Sequence, residues 1–266
     1  MKKFLNANLK SFVNTQFYRV KDDPDYEHPF FLIEIIERRK DNPDLDCPYR
    51  TIRWFTVYSI EEFDKLISID SEMIDYCNKH NARAYLHVNI KDSRSTMTNM
   101  LHLMSKYSNF NCNQLYKLPE CFFSAARMQE ANIKEKNMWW VVDFDYNDSI
   151  FSNEDSSILD EKVEPTASGA FYEDGFIANV RKHFIDFACK NYSEDRKKIM
   201  NYECFSLKTA NGFHLIIPPF DLTTDVRSGM IPYLKEKEPK FIDIVKEEVR
   251  LTDRIKKNNC TILYMP

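Results

Sequence analysis

The chain has 266 residues, of which 43% are hydrophobic, 14% aromatic and 29% charged, and its formal net charge is -4. This composition is typical of a folded globular protein and excludes an intrinsically disordered chain. The net charge excludes a surface that is basic throughout and holds nucleic acid by counterion release, although a local basic groove is compatible with it.

The cysteines and the apolar segments indicate the cellular compartment. Seven cysteines occur singly, without a CxxC pair, so a disulfide framework is not expected. No segment approaches the roughly 18 apolar residues of a membrane span, and the N-terminal residues lack a continuous apolar stretch. We therefore expect a soluble, cytoplasmic protein without a membrane partner.

Strands and helices alternate in the first half of the chain. Residues 30–38 and 50–59 are rich in β-branched and aromatic side chains, which predicts two neighbouring strands joined by a polar loop. Ser59 and Glu62 form a capping-box pattern, which predicts a helix from there to about residue 80. Two further elements are predicted, a strand at 82–90 and a helix at 95–107.

The second half begins with the most strand-like segment of the chain, residues 138–146, which is apolar on both faces until its acidic residues. This pattern predicts a strand that is covered on both sides. The alternation of strands and helices in both halves favours an α+β or α/β fold. The other predicted elements are a surface loop at 147–170, a helix at 175–192, two short strands around Asn211-Gly212, a helix at 239–257 and a final strand at 261–265.

Two carboxylates near the end of the 138–146 strand form the first candidate site. Side chains at i and i+2 of a strand share a face, so Asp143 and Asp145 project together. Such a pair repels in an apolar strand unless a cation lies beside it, which predicts a Mg²⁺ or Mn²⁺ site with Asp148 as a further oxygen ligand. The alternative is that the strand ends here and the acids only meet water.

The predicted hairpin forms the second candidate site. Alternation after the Asn-Gly turn puts both neighbours of His214 in the core and places His214 on the same face as Gly212. A histidine beside a glycine leaves room for a ligand, and Lys208 and Thr209 could bind phosphate oxygens. The alternative is an ordinary hairpin with an incidentally placed histidine.

The two motifs together resemble those of the archaeo-eukaryotic primase and primase-polymerase superfamily. The run WWVVDFDYND is similar to the first motif of that superfamily, a hydrophobic run ending in Asp-x-Asp, and Gly212-Phe213-His214 with its following hydrophobics is similar to the second. A predicted helix lies between them, as in the family. Leu251-Thr252-Asp253 resembles the third motif, a hydrophobic residue before Asp, although threonine precedes the acid here; Asp243 is the competing candidate. By motif the resemblance covers roughly residues 135–266.

The resemblance implies an α+β fold, in which an RRM-like catalytic core packs beside an N-terminal α/β module. The chain would then be one catalytic domain with modules at about 1–125 and 126–266. Asp143, Asp145 and Asp253 would bind two Mg²⁺ or Mn²⁺ ions, and His214 would contact the triphosphate of the incoming nucleotide.

The activity that this resemblance implies is DNA-directed primase or polymerase synthesis. The enzyme would extend a nucleic-acid strand from NTPs or dNTPs on a single-stranded template, with replication proteins as further partners. Two alternatives remain open: a non-catalytic RRM-like module that binds nucleic acid or a nucleotide, and a metal-dependent nuclease that uses the same acids.

Overall fold

The computed structural model describes residues 4–106, 118–132, 138–146, 175–190, 193–209, 212–219, 233, 249–250, 257–258 and 260–266. In these residues the chain has a mixed α+β fold with seven helices and two antiparallel sheets, which confirms the expected α+β class. It divides into two compact units, Met1–Met138 with Asn259–Pro266, and Trp139–Asn258.

The strands and helices are numbered in chain order. The strands are β1 (Phe4–Leu5), β2 (Phe31–Arg38), β3 (Tyr49–Val57), β4 (Arg83–His87), β5 (Trp140–Tyr146), β6 (Phe205–Thr209), β7 (Gly212–Ile217), β8 (Val249–Arg250), β9 (Lys257–Asn258) and β10 (Cys260–Met265). The helices are α1 (Leu9–Val20), α2 (Ile60–Leu66), α3 (Glu72–His80), α4 (Ser93–Lys106), α5 (Leu118–Asn132), α6 (Gly175–Ala188) and α7 (Glu194–Glu203).

The sheet of the first unit has the order β1-β10-β4-β2-β3. Consecutive residues of β2 point to opposite faces, and both faces are covered. Phe31 is fully buried and makes an edge-on contact with Phe17 of α1, with 5.3 Å between the ring centroids. On the other face, Phe30 and Leu32 pack with Ala126 of α5 in one hydrophobic cluster. The core of this unit therefore lies on both sides of the sheet.

The sheet of the second unit has the order β6-β7-β5-β8, and β9 also pairs with β5. Strand β5 therefore lies inside this sheet. Val141 and Val142, which point to opposite faces, are both fully buried. The prediction that this strand is covered on both sides is confirmed as far as Val142.

The capping box at the start of α2 is confirmed. The Ser59 hydroxyl accepts a hydrogen bond from the Glu62 amide at 3.2 Å, and the Glu62 carboxylate accepts one from the Tyr58 amide at 2.7 Å. The prediction of a single helix to about residue 80 is wrong, because α2 ends at Leu66. Ser71 then caps α3 by accepting a hydrogen bond from the Ile74 amide at 3.2 Å. A second capping serine thus divides the predicted helix into two.

The predicted helix at 239–257 is wrong at each of its described residues. Val249–Arg250 and Lys257 belong to strands that pair with β5. Pairing with the inner strand β5 satisfies the backbone N–H and C=O groups of these residues. The alternation of charge is a local pattern and does not predict this pairing. The rest of that range, and the predicted loop at 147–170, lie outside the described residues.

The final predicted strand is confirmed as β10, but it lies in the sheet of the first unit. It pairs with β1 and β4, whereas the sequence analysis assigned it to the 126–266 module. A return of the last strand to the first sheet is a long-range pairing that no local pattern contains. The structure also confirms the strands at 30–38, 50–59 and 82–90 and the helices at 95–107 and 175–192 as β2, β3, β4, α4 and α6, whereas α1, α5 and α7 were not predicted.

Candidate functional site

The register between β5 and β7 determines which residues of the two motifs meet. Asp143 pairs with His214, and Asp145 pairs with Gly212. Directly opposite residues in an antiparallel pair project to the same side of the sheet. The first and second sequence motifs are therefore neighbours on one face, although they are separated in the chain by helices α6 and α7.

Asp143 and His214 are in direct contact. The Asp143 Oδ1 atom lies 3.1 Å from the His214 Nε2 atom, and the side chains are 35% and 12% exposed, respectively. Val141 and Val142, which immediately precede Asp143, are fully buried, so the strand leaves the apolar core at Asp143. The carboxylate therefore meets solvent and an imidazole at the same point, which suits a group that must reach a ligand.

Asp145 occupies the next position on the same face. Its backbone partners are Gly212 on β7 and Arg250 on β8. Glycine has no side chain, so the surface beside position 145 is recessed on the β7 side. A ligand that reaches Asp143 and His214 could extend over this recess.

The register of β6 places the other two candidate nucleotide-binding residues, Thr209 and Lys208, at positions on opposite faces of the sheet. Thr209 pairs with Gly212, so its position belongs to the face of Asp143 and His214. Lys208 pairs with Phe213, so its position belongs to the opposite face. Of the two residues that were expected to bind phosphate, the register places only Thr209 on the face of the acids, with Gly212 of β7 between it and Asp145.

The site rests on a buried apolar layer. Phe213 and Leu215, the neighbours of His214 in the chain, are fully buried, which confirms their predicted place in the core. Leu207, which pairs with His214 from β6, is 1% exposed. Full burial of such side chains contributes about 1.5–3 kcal/mol each. The hairpin that presents His214 is therefore held by packing on both faces, as a positioned site requires.

The donor groups can be compared with the expected metal ions. A carboxylate oxygen that meets solvent suits Mg²⁺ or Mn²⁺, so Asp143 fits these ions. Within the described ranges, no group of three or more His, Cys, Asp or Glu residues could hold a metal ion. The candidate third acids Asp253 and Asp243, and Asp148, lie outside those ranges.

One neighbour of the site was missed by the sequence analysis. Arg250 is the β8 partner of Asp145. Its position therefore belongs to the acid face, the face of the sheet that carries the positions of Asp143, Asp145 and His214. The surrounding residues alternate in charge, which predicted a helix and concealed the strand pairing. Only the sheet register could have revealed it.

None of the helices among the described residues combines the length and the apolar character that crossing a membrane requires.

Known proteins provide no further assignment. Comparisons with protein families, with curated proteins and with solved structures found no match to this chain.

Proposed function

We propose that the Trp139–Asn258 unit is the metal-binding part of a primase-polymerase-like nucleotidyltransferase, which extends a nucleic-acid strand on a single-stranded template. The observation that carries this proposal is the direct contact between Asp143 and His214, 3.1 Å apart across two adjacent strands. A metal-binding acid and a phosphate-binding histidine must lie on one surface in such an enzyme. A remote histidine would have removed the basis of the proposal.

The strand order of the second unit supports an RRM-like core. Its first strand, β5, is followed by α6 and α7, by the β6–β7 hairpin and then by the short strands β8 and β9. In the sheet β5 lies between the third strand, β7, and the last strands. This is the arrangement of a four-stranded sheet built from a strand–helix–strand–strand unit and a returning last strand.

The chemistry follows from the positions on the acid face. Asp143 and Asp145, with Asp253 or Asp243 as the third acid, would hold the Mg²⁺ or Mn²⁺ ions. The ions supply charge stabilisation to the attacking hydroxyl and the leaving pyrophosphate of an in-line displacement. His214 would donate a hydrogen bond to the triphosphate. This arrangement supports catalysis mainly by positioning and electrostatics.

Gly212 and Thr209 would complete the nucleotide side of the site. The recess over Gly212 gives a phosphate group access to the backbone beside Asp145. The Thr209 hydroxyl, on the same face, could donate to a phosphate oxygen. Lys208 is a weaker candidate, because the register assigns its position to the other face.

The test is a primer-extension and priming assay with the whole chain, a single-stranded DNA template, labelled NTPs or dNTPs, and Mg²⁺ or Mn²⁺. We expect extension products that disappear on chelation and fall at least about 100-fold in Asp143→Ala and His214→Ala. Lys198→Ala is the matched control, since Lys198 lies on α7 of the same unit in an exposed ion pair with Asp195. Its activity should equal that of the wild type.

The same assay separates the alternatives. Nucleotide or strand binding without synthesis, unchanged in Asp143→Ala, would indicate a non-catalytic binding module. Shortening of the labelled strand in place of extension would indicate a nuclease. The absence of synthesis, of cleavage and of metal-dependent nucleotide binding under all of these conditions would refute the proposed function.

A further inference from the structure

Strand β3 forms one edge of the sheet in the first unit. Among the described residues it pairs only with β2, so its other side presents backbone groups without a partner strand. In an antiparallel pair each residue directs its N–H and C=O groups either towards the partner strand or away from it. About half of the nine residues of β3 therefore direct both groups outwards. An open edge of this kind is a template for one more strand.

A bulge near the middle of β3 limits the regular part of this edge. The register with β2 shifts by one residue at Ile52, which is an extra residue on β3. From Arg53 to Val57 the pairing is regular, and the side chains from Thr51 to Thr56 are only half-buried. An added segment would therefore pair with the second half of β3.

The charged side chains of β3 already have partners. Arg50 forms an ion pair with Glu37, with 2.6 Å between the charged atoms, and Arg53 forms one with Glu72 of α3. The Arg53 guanidinium also lies 4.8 Å from the ring centroid of Tyr76 on α3, so its charge is directed away from the α5 side of the sheet. Unpaired charges on an edge strand usually oppose pairing with another chain. Since both arginines are neutralised, β3 lacks this obstacle.

A cavity of about 590 Å³ opens beside this edge, between β3 and the first half of α5. Trp54 and Phe123 form its aromatic wall, with 6.5 Å between the ring centroids and 17° between the ring planes. Both rings pack against the hydrophobic cluster of Phe30 and Leu32, which anchors this wall to the core. Ser124 lines the α5 side. The volume lies within the range of about 300–1,000 Å³ that is usual for ligand pockets, so a large apolar side chain fits.

Two charged side chains of α5 flank the cavity. Glu120 lines it directly, and the Arg127 guanidinium lies 5.5 Å from the ring centroid of Phe123. Arg127 is exposed and has no ion-pair partner among the described residues. A carboxylate of a ligand in the cavity could therefore bind Arg127, whereas Glu120 would repel it from the other end. The charges favour one orientation of an acidic ligand.

We propose that the β3 edge and this cavity bind an extended acidic segment of a partner protein. The segment adds a strand beside Arg53–Val57, places one large apolar or aromatic side chain in the cavity and directs a carboxylate to Arg127. Main-chain hydrogen bonds supply affinity in this mode of recognition, and the pocket for a side chain supplies specificity. The surface lies in the first unit and goes beyond the proposed nucleotidyltransferase function.

A nucleic-acid strand fits this surface less well than a peptide does. Single-stranded nucleic acid binds where aromatic rings accompany a positively charged groove that follows the phosphates. Here the carboxylates of Glu37, Glu72 and Glu120 lie among the arginines. A phosphate group can accept hydrogen bonds from the N–H groups of an edge strand, but it offers no donor to the C=O groups. A peptide backbone offers both.

The experiment is selection from a displayed library of random peptides of about ten residues against the whole chain, followed by fluorescence titration of a selected peptide. We expect the selected sequences to share a large apolar or aromatic residue and an acidic residue. Ser124→Trp fills the mouth of the cavity and should weaken binding at least about tenfold. Arg127→Gln should weaken it about threefold, the effect of one exposed ion pair.

Lys10→Gln is the matched control for the loss of a positive charge. Lys10 is an exposed residue of α1, on the opposite face of the same sheet, and its variant should bind the peptide as the wild type does. Ser124 and Arg127 are exposed, so their variants should fold, which circular dichroism checks. If Ser124→Trp failed to fold, Arg127→Gln against Lys10→Gln would decide.

N-methylated forms of the selected peptide test the addition of a strand. Methylation of an amide that donates to β3 removes a main-chain hydrogen bond, whereas methylation of the next amide, which points away, does not. The loss of affinity should therefore alternate along the peptide with a period of two residues. A loss without this alternation would overturn the inference.

Other outcomes would also overturn it. One is the absence of any enriched peptide, and another is a selected peptide that binds Ser124→Trp as tightly as the wild type. Binding of single-stranded DNA that Ser124→Trp abolishes would assign the surface to nucleic acid. A dimer in sedimentation that the same variant dissociates would assign it to a second copy of the chain. Because the acid face lies in the other unit, none of these results bears on the proposed primase-polymerase activity.

Discussion

Asp143 and His214 lie directly opposite each other on adjacent antiparallel strands, with 3.1 Å between the carboxylate Oδ1 and the imidazole Nε2. The contact brings together two motifs that are far apart in the sequence. It also connects them chemically, because a cation that binds Asp143 Oδ1 would compete with His214 Nε2 for the same oxygen. Metal binding at Asp143 should therefore depend on His214.

The first prediction concerns this dependence. Asp143→Asn should weaken Mn²⁺ binding at least about tenfold, because an amide oxygen replaces a charged ligand. His214→Gln should also change the affinity for Mn²⁺, because the imidazole that contacts Asp143 Oδ1 is lost. Calorimetric titration or the spin-resonance signal of free Mn²⁺ measures both effects.

Lys198→Ala provides the reference for that titration. If Asp143→Asn bound Mn²⁺ as tightly as Lys198→Ala does, Asp143 would not be a metal ligand. Equal Mn²⁺ affinity in the wild type and in His214→Gln would show that the histidine and the metal do not interact.

The second prediction uses the register of β6. Thr209 shares the face of Gly212 and His214, whereas Lys208 pairs with Phe213 on the other. Thr209→Val keeps the shape of the side chain but removes its hydroxyl, and we expect it to weaken nucleotide binding about 3- to 10-fold, the cost of one hydrogen bond. Lys208→Met should change it less. Fluorescence titration with a labelled nucleotide compares the two variants. A larger loss of affinity in Lys208→Met than in Thr209→Val would contradict the assignment of Thr209 to the nucleotide side of the site.

The site could be predicted to the extent that it depends on local patterns. Alternation alone places Phe213 and Leu215 in the core and His214 on the exposed side, because the period of a strand is two residues. The same rule places Asp143 and Asp145 together. Alternation alone could not predict that Asp143 lies opposite His214, since register is set by packing of the whole sheet.

The elements that could not be predicted depend on distant partners. Strand β10 returns to pair with β4, and β8 and β9 pair with β5 through segments whose charge pattern predicts a helix. The register that places Cys260 opposite His87 depends on the same return of the chain. Tertiary pairing overrides local propensity at such places.

The third prediction concerns a buried ion pair. Arg83 donates two hydrogen bonds to Asp41, of 2.7 and 2.6 Å, and the side chains are 8% and 2% exposed. Arg83→Ala should lower the free energy of unfolding by about 3–5 kcal/mol, because it leaves the Asp41 charge buried without a partner. Urea unfolding followed by circular dichroism measures the change.

Two further variants test the cause of that loss. Lys10→Ala removes the exposed ion pair of Lys10 with Asp64 in the same unit and should cost less than about 1 kcal/mol. The double variant Arg83→Met with Asp41→Leu removes both charges and should be more stable than Arg83→Ala alone. A double variant less stable than the single one would show that the pair itself, and not the unpaired charge, determines the loss.

The last prediction follows from the pKa of Glu34. Burial raises this pKa, but hydrogen bonds from His87 and Thr51, with the charges of His87 and Arg127, outweigh burial and lower it below the ordinary value. A carboxyl group whose pKa is lower in the folded state stabilises that state above its unfolded pKa of about 4.3. This contribution is lost as the pH falls from there through the lowered pKa, so the first unit should lose stability in that acidic range.

Glu34→Gln removes the titrating group and should make the stability of the first unit less dependent on pH in this acidic range. The variant should be about 1–3 kcal/mol less stable than the wild type at pH 7, since a charged hydrogen-bond acceptor is lost, and the difference should narrow as the pH falls below about 4. Amide hydrogen exchange of β2 and β4 across the pH series follows this sheet specifically. Because Asp195 is an exposed carboxylate in the other unit, Asp195→Asn should leave those exchange rates unchanged. A constant difference between Glu34→Gln and the wild type at every pH would mean that Glu34 stabilises the sheet by packing and not by its charge.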